Sequence, residues 1–272
     1  MMIGITRYLR LLASLGRFTL ARELSFRGNF LVKVSVEVIW LGILLAFYET
    51  IFARTKTVAD WPKDHYLFFV GCFFALNGLI EMLFLENCNE FSELVRTGDL
   101  DFLLLRPIDE QFLITCRRVD WATAPNVVMG FGVMGFALWR MGWHFEATRV
   151  IAFFATFACG TAIAYSFMLI LTTSAVWMVR NQSLMEMWWL FSSLARYPKE
   201  IFLGSGAGAS SLGFIFTFLL PILLVANVPA GAMVRVFNPW MVGYTLLATA
   251  VLLWGSRRFF QYALRSYRSA SS

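Results

Sequence analysis

The chain has 272 residues and a net charge of +6, with 59% hydrophobic and only 15% charged residues. A soluble domain is about half apolar and about a quarter charged, so this composition excludes an ordinary soluble protein and predicts an integral membrane protein. The apolar runs are about 18 to 29 residues long, which suits spanning helices rather than the ~10-residue strands of a barrel. We therefore expect an all-α membrane bundle without a large soluble domain.

The first 28 residues predict an amphipathic helix at the membrane interface. Three arginines and a serine lie at helical spacing on one side, while apolar residues occupy another: Arg7, Arg10, Ser14 and Arg17 against Tyr8, Leu11, Leu12, Leu15 and Phe18. Such a helix lies in the headgroup plane with its arginines towards anionic lipid. The alternative is a basic cytoplasmic tail that follows the positive-inside rule.

Residues 29–258 predict a transmembrane domain. Lengths and hydropathy give spans at about 30–52, 67–85, 122–139, 150–178 and 240–256, with a further span at 183–202 or 211–228. A cytoplasmic N-terminus leaves 17 Lys and Arg residues inside and 6 outside, which is the orientation that the positive-inside rule favours. Keeping the arginines after Gly255 inside requires six crossings, so both termini, including the tail 259–272, are predicted to be cytoplasmic.

Two interpretations of the fifth span stay open at this point. Residues 183–202 carry four charges, so hydropathy alone favours 211–228 as the span. The alternative makes 183–202 the fifth span and 203–237 a re-entrant outer hairpin, which membranes tolerate where protein shields the backbone. The glycine-rich stretch 204–211 between the two segments is expected to interrupt the helix.

The predicted cytoplasmic loop 86–120 differs from every other cytoplasmic segment in its charge. It holds eight acidic and four basic residues, for a net charge of −4. An anionic leaflet repels such a loop, so a protein partner is the better match. Within it, "FSELVRTG" predicts a short helix ended by Gly98, "LDFLLL" offers apolar side chains beside charge, and Pro107 stops any following helix. The alternative is a helix packed on its own bundle.

The run "GDLDFLLLRPIDEQF" resembles the signature of one branch of the ABC-2 type transporter permeases, in which a G-x-L-D-x-x-L-x-R-P stretch follows the second span. Six spans, a basic N-terminal helix, "RYP" at 196–198 and the later "VPAG" also fit that branch. The resemblance implies a coupling helix between spans two and three that docks on a nucleotide-binding subunit. It also implies a fifth span followed by a short re-entrant segment, and so favours 183–202.

Carried onto this chain, the resemblance implies a set of ATPase-docking residues: Phe91, Glu93, Leu94, Asp99, Leu100, Asp101, Phe102, Leu103, Leu104 and Arg106. It implies three partners: a cytoplasmic ABC ATPase that binds ATP and Mg, a second permease half that is identical or homologous, and membrane lipid. Nucleic acid is not an expected partner. The resemblance further implies an exporter in a bacterial inner membrane.

Four polar residues fall at membrane depth and are candidates for a vestibule: Lys33, Glu37, Asn77 and Glu81. Intramembrane ionisable groups are functional candidates by default. The members of each pair, Lys33 with Glu37 and Asn77 with Glu81, are four residues apart on one helix. The alternative is a structural role, in which Lys33 pairs with Glu37 and Glu81 faces Arg17 or Arg22 of the interfacial helix.

The sequence contains no Walker A motif, so we expect no ATP site, no catalytic residues and no cofactor in this chain. The scattered cysteines form no CxxC pair and predict no metal site. Two other functions remain open, namely a secondary transporter or channel without an ATPase, and a membrane scaffold. The first would need a coupling-ion site at mid-membrane, and spans three and four carry no acid there. The substrate is not readable.

Overall fold

The structure, a computed structural model, describes residues 2–178, 182–202, 211 and 213–267. It is mostly helical, with one short antiparallel hairpin in which Thr57 pairs with Pro62 and Val58 with Trp61. Among the described residues, three helices are long and apolar enough to cross a membrane: Arg27–Phe52, Lys63–Thr97 and Ala147–Val176. The predominantly helical fold expected from the composition is therefore confirmed.

Four apolar segments, 30–52, 67–85, 122–139 and 150–178, correspond to helices with boundaries within about five residues. Segment 211–228 does not form one helix, because it is divided between a π-helical segment (Ile215–Leu219) and the start of the helix Leu224–Val234. In chain order the elements are α1 (Met2–Ser25), α2 (Arg27–Phe52), β1 (Thr57–Val58), β2 (Trp61–Pro62), α3 (Lys63–Ile80), a π-helical segment (Glu81–Leu85), α4 (Glu86–Thr97), α5 (Leu100–Leu104), α6 (Glu110–Thr115), α7 (Ala124–Arg140), α8 (Ala147–Thr173), α9 (Gln182–Ala195), α10 (Leu224–Val234) and α11 (Pro239–Ser266).

The bundle has two ends, defined by contacts between helix termini. At one end, which we call the hairpin end, Lys63 pairs with Glu49 at 2.5 Å and Arg140 pairs with Asp64 at 3.1 Å. These pairs join the end of α2 and the end of α7 to the start of α3. At the other, which we call the loop end, α4 to α6 meet α1 and the C-terminal half of α11. Long helices run alternately between the two ends.

The helix Lys63–Thr97 is unusually long. Its 35 residues span about 52 Å at 1.5 Å per residue, against about 30 Å for the hydrocarbon core of a bilayer. The apolar part is α3, and the polar part is α4, so roughly the last 20 Å extend beyond the apolar layer. The π-helical segment 81–85 lies where the two parts meet; such segments occur often at functional sites.

Small residues let helices approach closely in the core. A Cβ on Gly130 of α7 would lie 2.5 Å from the backbone nitrogen of Ala75 in α3, so only glycine fits there. Gly160 in the middle of α8 is matched in the same way to Val225 of α10. Gly132 and Gly135 of the same helix, by contrast, face open space.

After α9 the chain lies at the hairpin end again. Trp188 of α9 packs in a cluster with Met168 and Leu171 near the loop end of α8. Glu200, five residues after the end of α9, accepts a hydrogen bond of 3.0 Å from Trp61 of the β-hairpin and pairs with Arg235. The predicted glycine break at 204–211 lies almost entirely outside the described residues.

Helix α10 runs from mid-depth to the hairpin end. Its Val225 lies against Gly160, at the centre of α8, while Arg149 near the start of α8 donates to the carbonyls of Met233 and Arg235. Asn227 joins this helix to the end of α9, because it accepts from Lys199 N at 2.8 Å and donates to Tyr197 O at 3.3 Å.

Candidate functional site

The loop between α3 and α7 is built from three short helices. Helix α4 ends at Gly98, which has the left-handed φ of 81° that favours glycine, as the sequence predicts. Helix α5 follows and ends at Leu104, before Pro107. Asp109 then caps α6 by accepting from Phe112 N at 3.1 Å. The loop is therefore an ordered element with its own helix ends.

The ten residues predicted to dock an ATPase divide by burial. Phe91, Leu100 and Leu103 are buried within the chain, where Phe91 and Leu100 pack with Ile114 and Phe260. Leu94 and Leu104 are half-buried against the same cluster, and half-buried Asp101 interacts with Tyr267. These side chains hold the loop to α6, α8 and α11.

The remaining predicted docking residues are exposed. Glu93 and Arg96 form an exposed pair, while Asp99 and Arg106 are open to solvent. Between them Phe102 is 69% exposed and Leu105 is 81% exposed. Asp99, Phe102, Leu105 and Arg106 together form what we call the knob, an apolar pair flanked by one acid and one base. An exposed apolar cluster rimmed by charge is typical of a protein-binding surface.

Asp109 connects this loop to two distant helices. Its carboxylate receives Arg257 of α11 through two hydrogen bonds, of 2.5 and 3.3 Å, and its backbone nitrogen donates to the hydroxyl of Tyr8 in α1 at 3.1 Å. Burial acts to raise the pKa of Asp109, but Arg257 and backbone N–H donors favour the charged form and bring the pKa below its ordinary value.

A second candidate site is a cleft of about 650 Å³ between α2, α3, α7 and α9. The four predicted vestibule residues, Lys33, Glu37, Asn77 and Glu81, all line it. Two pairs predicted separately from helical spacing therefore face one space. Its volume lies within the range of small-molecule sites, and its walls combine aromatic rings with ten polar or charged side chains.

The hydrogen bonds in the cleft differ from the simplest expectation. Asn77 does donate to Glu81 at 2.7 Å, four residues on. Glu37, however, accepts from Asn126 of α7 at 2.9 Å, and among the described residues no ion pair joins it to Lys33. Nor does Glu81 meet Arg17 or Arg22 of α1. The polar groups of α2 and α3 therefore line the cleft, and Glu37 is held by α7 instead of by Lys33.

Several lining residues escaped the sequence analysis. Arg196, after the end of α9, lies 5.7 Å from the ring centroid of Phe73 and 6.0 Å from that of Trp40, in cation–π range. Trp189 and buried Asn126 complete the walls. An arginine inside the apolar segment 183–202 could have identified Arg196 as a candidate, because ionisable residues within spans are often functional. The position of Asn126, at the start of an apolar run, did not indicate a role in the cleft.

A family model described as ABC-2 family transporter protein matches residues 38–271. The match covers most of the chain, from the middle of α2 onwards, and includes the motif at 98–107. No curated protein and no solved structure matches the chain.

Proposed function

We propose that this chain, which belongs to the ABC-2 transporter family, is the permease subunit of an exporter driven by a separate ATPase. Family membership over residues 38–271 is the observation that carries the permease role. In the proposal, ATP and Mg bind to the ATPase, and this chain supplies the path across the membrane together with a second permease half.

The proposed topology has six spans, with the fifth at 183–202 and a re-entrant segment at 203–237. Two contacts support it. Glu200 meets Trp61 and Arg235 at the hairpin end, as expected if the preceding residues have crossed. Val225, at the start of α10, lies beside the middle of α8, so α10 begins halfway through the bundle and extends from there to the hairpin end. Helix α10 itself packs on α3, α8 and α9, so protein shields its backbone, as a re-entrant piece requires.

In the proposed orientation the loop end is cytoplasmic. With the fifth span at 183–202, Arg196 and Lys199 move to the outer side, which leaves 15 Lys and Arg residues inside and 8 outside. The bias keeps its sign and still favours cytoplasmic termini. Both termini then lie on the same side as the loop 86–120.

The knob is the proposed contact for the ATPase. The knob is exposed, while the residues beneath it are buried in the chain's own core. A displacement of the knob would therefore also displace the helices packed beneath it. Helix α4 continues directly into α3, and Asp109 is bonded to α11. A movement of the ATPase would therefore tilt α3 and α11 as packed elements, which is how rigid-body transitions are transmitted.

The cleft is the proposed vestibule of the path. It lies beside α2, which is the most exposed of the three candidate spans, with only 11% of its apolar window buried. A second permease half at this side would enclose the cleft and complete a two-fold path. Export is the proposed direction, by resemblance to the family alone.

The coupling experiment uses one double variant of the knob with a matched control. Asp99→Lys with Phe102→Ala reverses one charge and removes one exposed ring without touching the buried cluster. The control, Glu146→Lys, reverses a charge at the hairpin end. We expect the knob variant to fold normally but to lose co-purification with the ATPase and transport-coupled ATP hydrolysis. Normal coupling in this variant would exclude the knob as the docking surface.

The topology is tested by cysteine labelling of intact cells with an impermeant maleimide. Leu105→Cys is exposed on the knob, and Val236→Cys, 92% exposed in the wild-type residue, lies at the hairpin end. With the four native cysteines replaced, we expect labelling of the Val236→Cys variant only, with Leu105→Cys labelled after lysis. The reverse pattern would overturn the orientation.

Transport by the purified chain without any ATPase would support a secondary transporter instead.

A further inference from the structure

A separate cavity of about 330 Å³ lies at the bend between α1 and α2. Its walls come from the end of α1, the first turns of α2, the start of α4 and the segment after α6. Phe26 and Phe30 supply apolar surface, and the rest of the lining is mainly charged. The bend adjoins the first turn of a spanning helix, so the cavity is at the level of lipid headgroups.

The charges around this cavity have both signs. Arg22 and Lys33 are basic, while Glu23, Glu86 and Asp120 are acidic. Among the described residues no ion pair joins any base of this group to any acid of it. Glu86 lies 3.6 Å from Arg118, outside the group, and Asp120 accepts from Ala122 N at 3.0 Å.

Glu23 has a carboxylate oxygen that accepts no hydrogen bond from the described residues. Its Oε1 accepts from Trp121 N at 3.2 Å, but Oε2 is buried without a hydrogen-bond partner. Burial is the largest influence on this carboxyl and raises its pKa above the ordinary value. A buried polar atom without a partner is costly, and a donor from a ligand would remove that cost.

The cavity continues into the larger cleft. Lys33, Glu86 and Asp120 line both spaces. Beyond them the cleft presents Trp40 and Phe73, which are suited to an acyl chain. The charged cavity and the apolar walls therefore form a continuous amphipathic surface, with the polar part at the bend of α1 and α2.

We propose that this cavity binds the headgroup of a zwitterionic phospholipid with a primary ammonium, of the phosphatidylethanolamine type. The ammonium donates to Glu23 Oε2 and faces Glu86 and Asp120, while the phosphate faces Arg22 and Lys33. One acyl chain extends towards Trp40. The lipid comes from the leaflet that holds α1, and it ties α1 to α2 and to the loop.

The charge balance favours this lipid over an anionic one. Glu86 is paired with Arg118, so the cavity presents two other carboxylates and two bases, a balance that suits a zwitterionic headgroup better than one with a net negative charge. A primary ammonium donates hydrogen bonds to carboxylates, whereas the quaternary ammonium of phosphatidylcholine has no N–H to donate. The proposal goes beyond the transport function and needs neither an ATPase nor a substrate.

The test is native mass spectrometry of the full-length chain from nanodiscs with equal parts phosphatidylethanolamine, phosphatidylcholine and phosphatidylglycerol. We expect phosphatidylethanolamine to be retained over both others. Glu23→Gln keeps the acceptor for Trp121 N but removes the charge, and should lower retention about tenfold, the scale of one charge-assisted hydrogen bond. Lys33→Gln, at an exposed position, should lower it as well.

The control is Glu49→Gln, which removes a carboxylate at the other end of α2 and should leave retention unchanged. Preferential retention of phosphatidylglycerol, equal retention of all three lipids, or an equal loss in the Glu49→Gln control would overturn the proposal. Thermal melting of each variant separates loss of the site from loss of the fold, because the Lys33 side chain makes no hydrogen bond with the described part of the chain.

Discussion

Arg257 Nη2 lies 2.5 Å from Asp109 Oδ2, and this contact joins the last helix of the chain to the helix that follows the acidic motif. Arg257 also donates to Gln111 at 2.9 Å, so the guanidinium holds both the cap and the first turn of α6. Because Asp109 also accepts from Phe112 N and donates to Tyr8, one residue fixes α1, α6 and α11 relative to each other.

Replacing Asp109 separates its two roles. Asp109→Ala removes the cap of α6 and the ion pair, and should lower stability by about 1 to 2 kcal/mol, mostly through the cap. Asp109→Asn retains a good cap and loses only the charge, so the cost should stay below about 1 kcal/mol. Thermal unfolding in detergent measures both. Equal losses in the two variants would show that the cap contributes nothing.

The Asp109 contact also predicts a dependence on pH. Its pKa in the folded state is lowered, so the stabilisation is fully present above the unfolded value of about 3.9 and is lost as the pH falls through the folded value. The difference in melting temperature between wild type and Asp109→Asn should be constant from about pH 7 to 5 and shrink below about pH 4. A difference that persists undiminished at pH 3 contradicts the assignment.

Close helix packing predicts opposite effects at two glycines of α7. Gly130→Ala places a methyl group 2.5 Å from Ala75 N, and should destabilise the bundle by about 1 to 3 kcal/mol because backbone must move. Gly132→Ala meets nothing within 4 Å and gains helix propensity, so it should be neutral or slightly stabilising. Unfolding in detergent, followed by circular dichroism, compares the two variants directly.

The contact of Glu200 with Arg235 and Trp61 predicts a dependence of the hairpin end on one carboxylate. Arg235 lies 4.8 Å from the ring centroid of Trp61, and Glu200 bonds to both residues. Glu200→Ala leaves two donors without an acceptor and should cost about 1 to 3 kcal/mol. The exposed Glu146–Arg149 pair provides the control, since Glu146→Ala should cost less than about 1 kcal/mol. Thermal unfolding distinguishes them.

Local signals carried much of the prediction. Long apolar runs had to become helices because lipid offers no partner to backbone groups. Gly98 ended α4 because glycine adopts the left-handed conformation at no steric cost. The acidic motif indicated an ordered loop, but it did not distinguish Leu100 and Leu103, which are buried, from Phe102 and Leu105, which are exposed. That division depends on where the neighbouring helix α11 lies.

The sequence by itself determined the membrane class, the helical segments and the polar residues worth attention, since composition and periodicity are local properties of the chain. Only the tertiary structure decided which of those residues meet. Glu37 bonds to Asn126, 89 positions away, in place of Lys33 four positions away. Arg196 reaches the same cleft from the segment that follows α9. The physical reason is that a partner is selected by packing between distant helices, about which the spacing along a single helix carries no information.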